Sequence, residues 1–315
     1  MKYYRVIPLS QSFDMYGLSY TCSDELVQDL RCGDIVVIPF RTWFDLWVFA
    51  GEIMDTRIQV PSELKSIEGK AVDSISLSAQ QVQMIDFIST HYIVPIHHSA
   101  CLYFPKNLKE KISKNTLWKL KIRDYSYNSP EITLSSAQQK VFDTILTDTN
   151  KKFLLYWVTG SWKTEVYIKL IEENLKREKQ TLLLIPEIIL TSQIAQRLET
   201  AFWDQIIILH SGISAAKKSQ LWIDIYSWNA KIIVGTRSSL FYPYNNLWSI
   251  IVDQEHDNSY VSDNAPRYNA VQSAEKMSEL YDIPLLLASW TPKVTSMYRW
   301  LKGDFTLLQL LEKYN

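Results

Sequence analysis

Glycine is scarce in this chain: 8 of 315 residues, where ordinary usage near 7% would supply about 22. That shortage excludes a glycine-rich repeat or a flexible linker protein, and it leaves few residues for turns that need a left-handed backbone. Cysteine is rarer still, with 3 residues and no C-x-x-C spacing, which argues against a disulfide framework and against a structural zinc site. There is no run of about 18 apolar residues, and Met1-Lys2-Tyr3-Tyr4-Arg5 opens no apolar leader. A soluble, cytoplasmic chain with no membrane partner is the expectation. Charge of one sign is lacking too, the formal net being -1, so no global basic field announces a polyanionic partner. What is present is 47% apolar and 21% charged residues, the texture of a globular chain long enough for two domains. Tryptophan, at 11 residues, outnumbers glycine.

The surplus and the deficit meet in one segment. Trp157-Val158-Thr159-Gly160-Ser161-Trp162-Lys163-Thr164 has the form G-x-x-x-x-G-K-[ST] with tryptophan at both required glycines. A loop of that form cradles phosphates with backbone N–H groups, while Lys163 reaches the outer phosphates and Thr164 holds Mg²⁺. Three explanations stand: a chance match, a dead loop, or positions that are glycine in the cell. Composition favours the third, because other tryptophans also occupy glycine-like places. Trp228 follows a helical stretch (214 to 227), Trp203 follows Phe202 ahead of a strand, and Trp248 precedes Ser249-Ile250-Ile251-Val252-Asp253. Positions past a helix end call for left-handed geometry and hence glycine. A UGA codon read as glycine in the cell, and as tryptophan in a different code, produces this pattern. Trp222, flanked by helix-compatible residues, reads as an ordinary core tryptophan, and an ordinary Trp-rich core is the alternative for the rest.

Two textures divide the chain. Residues 1–104 read as short β segments, among them 35–40 and 46–53, with a helical piece at 79–91. Residues 105–133 form a basic connector: Lys106, Lys109, Lys111, Lys114, Lys119, Lys121 and Arg123 face Glu110 alone across 106–123. Such a stretch either meets phosphate or is a solvated face. From 134 to 315 apolar strands (153–158, 181–186, 206–210, 231–235, 249–253, 284–288) alternate with helical stretches (164–178, 190–202, 214–227, 267–281, 292–301). That alternation predicts a parallel sheet covered on both faces.

In such sheets ligands bind beyond the carboxyl ends of the strands, and the polar motifs fall there. The phosphate-loop pattern leaves the first strand and opens a helix. Asp253-Gln254-Glu255-His256 leaves another strand in the manner of a Walker B box, with Asp253 placed to hold Mg²⁺. The second position, which ordinarily supplies the base, is Gln254; it cannot take a proton. Glu255 is adjacent, but neighbouring side chains on an extended chain point apart. Next to Asp253, His256 reads as functional. Ser289-Trp290-Thr291-Pro292 either relays the nucleotide state through its hydroxyls or caps the helix that follows.

The order of these segments resembles the first RecA-like lobe of superfamily 2 DNA helicases, and among them the bacterial replication-restart helicases. The residues that carry it are Leu134-Ser135-Ser136-Ala137-Gln138, the loop from Gly160 to Tyr167, Pro186 to Gln193, Leu209-His210-Ser211-Gly212, Val234 to Phe241, Asp253 to Asp257 and Pro266-Arg267-Tyr268. The resemblance implies an α/β fold, a RecA-like parallel-sheet lobe preceded by a small β-rich DNA-binding domain, with ATP and Mg²⁺ as cofactors and no zinc in this chain. It places nucleotide on Gln138 and on Trp157, Val158, Thr159, Gly160, Ser161, Trp162, Lys163 and Thr164, metal on Thr164 and Asp253, and catalysis on Lys163, Asp253, Glu255 and His256. In the β-rich part it implies that Phe13 stacks on a terminal base, Asp14 accepts from a 3′-hydroxyl, Gly33 lets backbone approach and Lys65 meets phosphate. Thr191, Gln193, Thr236 and Arg237 would touch the backbone of single-stranded DNA, with a helix cap for Thr191 and an ion pair for Arg237 as alternatives. Tyr260, Arg267 and Tyr268 resemble an aromatic-rich loop that couples DNA to the ATP site.

The pattern also departs from the family. Only about thirty residues separate Phe104-Pro105 from the Gln138 motif, too few for a winged-helix domain, and neither a second lobe nor a cysteine-rich zinc module follows. The implied partners are forked or single-stranded DNA with a 3′ end, other primosome proteins and a separate chain carrying the second lobe. The expected function is an ATP-dependent 3′ to 5′ helicase of replication restart present as a truncated chain; a non-hydrolysing fork-binding module is the alternative.

Overall fold

Short strands rich in β-branched and aromatic residues make the first sheet, and apolar side chains are buried on both of its faces. The computed structural model describes residues 2–40, 43–53, 64–121, 123, 125, 132–186 and 193–312, apart from the side chains of Trp43, Trp118, Gln193 and Asp204. It divides into two units, Met1–Lys121 with Ala215–Gln220 and Asp263–Tyr268, and the remainder.

In the first unit β1 (Tyr4–Pro8), β2 (Leu18–Tyr20), β3 (Ile35–Phe40), β4 (Trp43–Glu52) and β5 (Gly69–Lys70) pair antiparallel in the order β2-β1-β4-β3-β5. Val36 and Ile38, two apart on β3, share a buried cluster with Val6, Tyr20, Trp47 and Phe49 on one face, while Ile7, Ile35 and Val48, at the alternate positions, are buried on the other. Helices α1 (Asp24–Asp29), α2 (Ala79–His91), α3 (Ile96–Tyr103) and α4 (Lys106–Ser113) complete the unit. Ser78 starts α2 with a capping box, its hydroxyl accepting from Gln81 N–H while the Gln81 side chain accepts from Ser78 N–H. That reciprocal pair satisfies two orphan donors and sets the helix start where the sequence predicts it.

The lysine-rich stretch is not a bare connector. Leu108 and Ile112, one turn apart on α4, are buried, so this helix docks an apolar stripe while Lys106 faces water and Lys111 is half-buried. Lys109 turns inward, its Nζ donating to Leu9 O at 2.8 Å and lying 3.3 Å from Asp45.

From Ser136 onward the chain alternates helix and strand: α5 (Ser136–Thr147), β6 (Lys152–Trp157), α6 (Lys163–Lys176), β7 (Gln180–Leu184), α7 (Gln193–Phe202), β8 (Ile206–Leu209), α8 (Ala215–Tyr226), β9 (Ile232–Gly235), β10 (Leu247–Asp253), α9 (Ala270–Tyr281), β11 (Leu285–Ser289), α10 (Val294–Leu301) and β12 (Thr306–Leu310). The seven strands form one parallel sheet, order β12-β6-β11-β10-β7-β9-β8. Phe153, Leu154 and Leu155, like Leu182, Leu183 and Leu184, are buried in succession, as strands covered on both faces require. The sequence reading did not anticipate α5 as an element, nor β12.

The register positions the site. β11 lies between β6 and β10, with Ala288 opposite Leu155 on one side and Asp253 on the other. The loop that leaves β6 and the acid that ends β10 therefore emerge at the same edge, one strand apart.

Candidate functional site

The turn after β6 is pinned at both ends. Val158 N–H donates to Leu310 O on β12 at 3.0 Å, and Ser161 N–H closes on Val158 O at 3.1 Å. Gly160 sits at φ 84° and Trp162 at φ 51°, both in the left-handed region. Trp162 is the residue from which α6 starts, so the turn delivers Lys163 and Thr164 to the first turn of that helix. A cavity of about 660 Å³ opens there, lined by Thr159, Gly160, Trp162, Thr164, Arg197 and Gln254 among others.

Lys163 and Asp253 meet directly: the Lys163 ammonium is ion-paired to Asp253 Oδ1. Tyr167, four residues along α6 and so on the same face, donates its hydroxyl to that same oxygen at 3.0 Å. Burial pushes the Lys163 amine below the ordinary lysine range, against the raising influence of the carboxylate. Burial, reinforced by Asp253, pushes the Tyr167 hydroxyl well above the ordinary tyrosine range. Asp253 Oδ2 is buried and has no partner. An ionised carboxylate oxygen left without a donor away from water is costly. It is the atom a hard cation would take, and Thr164, next to Lys163 in the first turn of α6, puts a hydroxyl-bearing residue on the cavity wall. The residues present therefore fit a Mg²⁺ ion, which binds oxygen ligands and shares them with phosphate and water.

Trp157 is less comfortable. Its ring lies 4.2 Å from Lys163 Nζ, and its indole N–H is buried without a partner. Ser161 Oγ is in the same position.

Several expected roles change once the partners are visible. Gln138 is buried, its Oε1 accepting from Ser135 N–H at 2.9 Å and its Nε2 donating to Ser161 O at 3.1 Å and Trp162 O at 3.2 Å. Its amide braces the phosphate loop and is not free to read a base. Glu255 is wholly buried, with Oε1 accepting from Lys293 N–H at 2.7 Å and Oε2 from Ser296 Oγ at 3.3 Å. This carboxylate caps α10 and does not face the cavity, so the catalytic role expected of it is corrected to a helix cap. His256 Nδ1 lies 2.7 Å from Ser289 Oγ, which joins the strand ends of β10 and β11. The segment after Ser289 is not the cap of α10, since Glu255 fills that place.

On the surface expected to meet DNA the outcome is mixed. Phe13 is 87% exposed, a free ring. Asp14 Oδ1 accepts from Tyr16 N–H at 2.7 Å, and Asp14 O accepts from Ile96 N–H at 3.0 Å. Gly33 is structural. A β-carbon there would lie 1.8 Å from Leu77 O, so the backbone that approaches this glycine here is the chain's own. Lys65 is exposed. Thr191 lies outside the described residues, as does the side chain of Gln193, which begins α7. Thr236 is buried after β9, and Arg237 donates to the backbone carbonyl Ser259 O at 2.7 Å. Tyr260 is buried, its hydroxyl within reach of Asp253 O at 2.6 Å and Leu184 O at 3.0 Å, so its ring cannot stack on a base. Tyr268 is also buried, while Arg267 is exposed.

Sequence reasoning gave no role to Tyr167, or to the pair of Glu165 with Arg197, joined by two bonds of 2.9 and 3.0 Å. The spacing of Tyr167 from Lys163 was the available signal.

With this geometry in view, the DEAD/DEAH box helicase family profile matches residues 135–297. Over 305 residues the chain is 33% identical to replication restart protein PriA of Rickettsia felis, covering 96% of this chain and 45% of that protein. It is 39% identical over 180 residues to replication restart protein PriA of Bacillus subtilis, 57% of this chain and 22% of that one. The chain thus spans less than half the length of these relatives. Among solved structures, the Pyrococcus furiosus Hef helicase domain aligns with 56% of this chain and 38% of its own at 18% identity and a TM-score of 0.43.

Proposed function

Because the chain belongs to the DEAD/DEAH box helicase family, we propose that it carries the first ATPase lobe and the DNA 3′-end-binding domain of a replication-restart helicase. The single observation that carries the reading is the Lys163–Asp253 pair, brought together from strand ends one strand apart, with Asp253 Oδ2 left open. Without nucleotide the ammonium and the carboxylate neutralise each other in a buried place. An incoming triphosphate offers Lys163 a stronger set of oxygens, and Asp253 is released to a cation.

Mg²⁺, held by Asp253 and Thr164, would supply charge neutralisation on the phosphates. The rest is the work of this chain's own atoms. Backbone N–H groups of the turn other than those of Val158 and Ser161, which bond Leu310 O and Val158 O, hold the phosphates, Gln138 fixes the turn from behind, and Tyr167 keeps Asp253 Oδ1 in place. His256 and Ser289 tie the acid strand to its neighbour, a path by which occupancy of the nucleotide site reaches the segment before α10. Arg237, Ser259 and Tyr260 make a second path, since Arg237 holds the Ser259 carbonyl and the next residue's hydroxyl bridges Asp253 O and Leu184 O.

Phe13, Asp14 and Lys65 are the residues we assign to a 3′ terminus, with stacking and phosphate contact that read no sequence. Other primosome proteins, a second lobe and work in the cytoplasm belong to this reading.

A second reading has its own observation. Gln254 stands in the base's position and Glu255 is spent on α10, which favours a module that binds a fork and nucleotide without hydrolysis. The test is turnover of Mg-ATP with and without forked DNA bearing a free 3′ end. DNA-stimulated turnover lost in Lys163→Ala supports the ATPase reading. Salt-sensitive fork binding without turnover supports the module. Failure to bind forked DNA at low salt would overturn both.

A further inference from the structure

Among the described residues, nine that are not glycine have positive φ: Ile93, Asn115, Lys151, Trp162, Glu178, Trp203, Trp228, Gln254 and Asp282. Three of the nine are tryptophan, although tryptophan makes up 11 of 315 residues, a share that would put fewer than one of them there. The left-handed region forces the β-carbon against the following carbonyl, and a bulky aromatic gains nothing local to offset it; asparagine and aspartate, which bond their own backbone, are the usual exceptions.

The three share two further properties. Each stands at a helix boundary: Trp162 at the start of α6, Trp203 directly after α7 and Trp228 two residues after α8. Each is also exposed, at 53%, 73% and 52% respectively. Tryptophan stabilises a fold by burying a large ring, and these rings leave half or more of their surface in water. Trp47 and Trp222 behave differently. Both are completely buried with ordinary backbones, and Trp222 stacks on Tyr226 at 5.3 Å. The chain therefore holds two populations, one in which the indole shapes the core and one in which the backbone has the geometry of glycine and the ring hangs outside. Trp157 belongs to neither, its ring being partly buried against the core; it is a candidate on separate ground, because its N–H is buried without a partner beside Lys163.

We infer that the protein made in its own cell carries glycine at 157, 162, 203 and 228, through a codon read there as glycine and elsewhere as tryptophan, and that its phosphate loop is consequently open to a nucleoside triphosphate. Residues 203 and 228 lie outside the loop, so the inference on residue identity does not depend on the proposed function. Glycine at 162 leaves the α6 start and its N–H groups bare, and glycine at 157 frees the Lys163 ammonium from the aromatic face that holds it.

Peptide mass spectrometry of the protein purified from the cell that encodes it decides the matter. Peptides lighter by the tryptophan-to-glycine difference at all four positions, with tryptophan kept at 47 and 222, are expected; tryptophan at any of the four overturns the inference. A second measurement uses the tryptophan-bearing chain. Trp203→Gly and Trp228→Gly, made together, should raise its thermal unfolding midpoint by several degrees, and an unchanged or lowered midpoint would count against the backbone argument. Adding Trp157→Gly and Trp162→Gly should tighten binding of Mg-ADP at least tenfold. If the masses show glycine and Mg-ADP still does not bind, the nucleotide reading fails while the residue assignment stands.

Discussion

Asp253 shows how one residue's surroundings set its chemistry. Its Oδ1 is shared by an ammonium and a phenol while Oδ2 has neither, so the group is half-neutralised and half-waiting. Removing the ammonium alone leaves a buried carboxylate supported by one neutral donor, and stranding one member of a buried pair costs about 3–5 kcal/mol. Lys163→Met should therefore lower stability by about that much in urea unfolding, and adding Asp253→Asn should recover most of it. A Lys163→Met protein as stable as the parent would mean that the pair does not exist in solution. Tyr167→Phe is a gentler probe. A hydrogen bond to a charged group contributes about 1.5–3 kcal/mol, and its loss should weaken Mg-nucleotide binding more than it changes DNA binding. Equal loss of both would argue that Tyr167 acts through general packing. Sequence reasoning singled out Lys163, Thr164 and Asp253 because loop and strand-end motifs are local. It did not foresee what Gly33, Gln138 and Glu255 touch, because Leu77 O, the loop carbonyls and the α10 start come from distant parts of the chain.

Elements differed in legibility for a related reason. Strands β6, β7, β9, β10 and β11 are continuous apolar runs, and their ranges are close to those read from sequence because burial on both faces leaves no polar interruption. Edge strand β12 alternates, with Leu308 and Leu310 buried and Gln309 exposed, and its short pattern does not stand out next to a helix end. Helix α4 was hidden by its lysines, since an amphipathic helix of eight residues shows only Leu108 and Ile112 as apolar markers on its docked side. Helix α5 carries its own start signal, the Ser135–Gln138 capping box, and here element and site are joined, because the residue that closes the box also holds the phosphate loop. Gln138→Ala removes both functions. A lost neutral hydrogen bond contributes about 0.5–1.5 kcal/mol, so nucleotide affinity should fall by roughly threefold to tenfold while fork binding is unaffected. Ser135→Ala should cost about 1 kcal/mol of stability with a smaller change in affinity. If Gln138→Ala left affinity unchanged, the brace would have no bearing on the loop.

At the scale of the whole molecule the tyrosines set an alkaline limit. Burial holds Tyr167 and Tyr260 well above the ordinary tyrosine range and pushes Tyr20, Tyr125 and Tyr242 up to about 12. In an unfolded chain a tyrosine ionises near pH 10. Above that pH the unfolded state has released protons that the folded state keeps, so stability is complete below about pH 10 and falls as pH rises towards the folded values. Lys163, whose amine is lowered by burial, works in the opposite sense, gaining stability as pH climbs to the ordinary lysine value; it is one group against these tyrosines and Tyr4, which burial also raises. Each tyrosine still protonated in the fold and ionised in the unfolded chain steepens the decline by up to about 1.4 kcal/mol per pH unit. Urea unfolding at pH 8, 10 and 11 should show a plateau followed by a steep loss. Tyr242→Phe, which is away from the Asp253 cluster and has burial as its single cause, should remove one proton's share of that slope and leave the plateau in place. A stability that stayed level to pH 11, or a slope that Tyr242→Phe did not reduce, would show that these hydroxyls are better solvated than their packing implies.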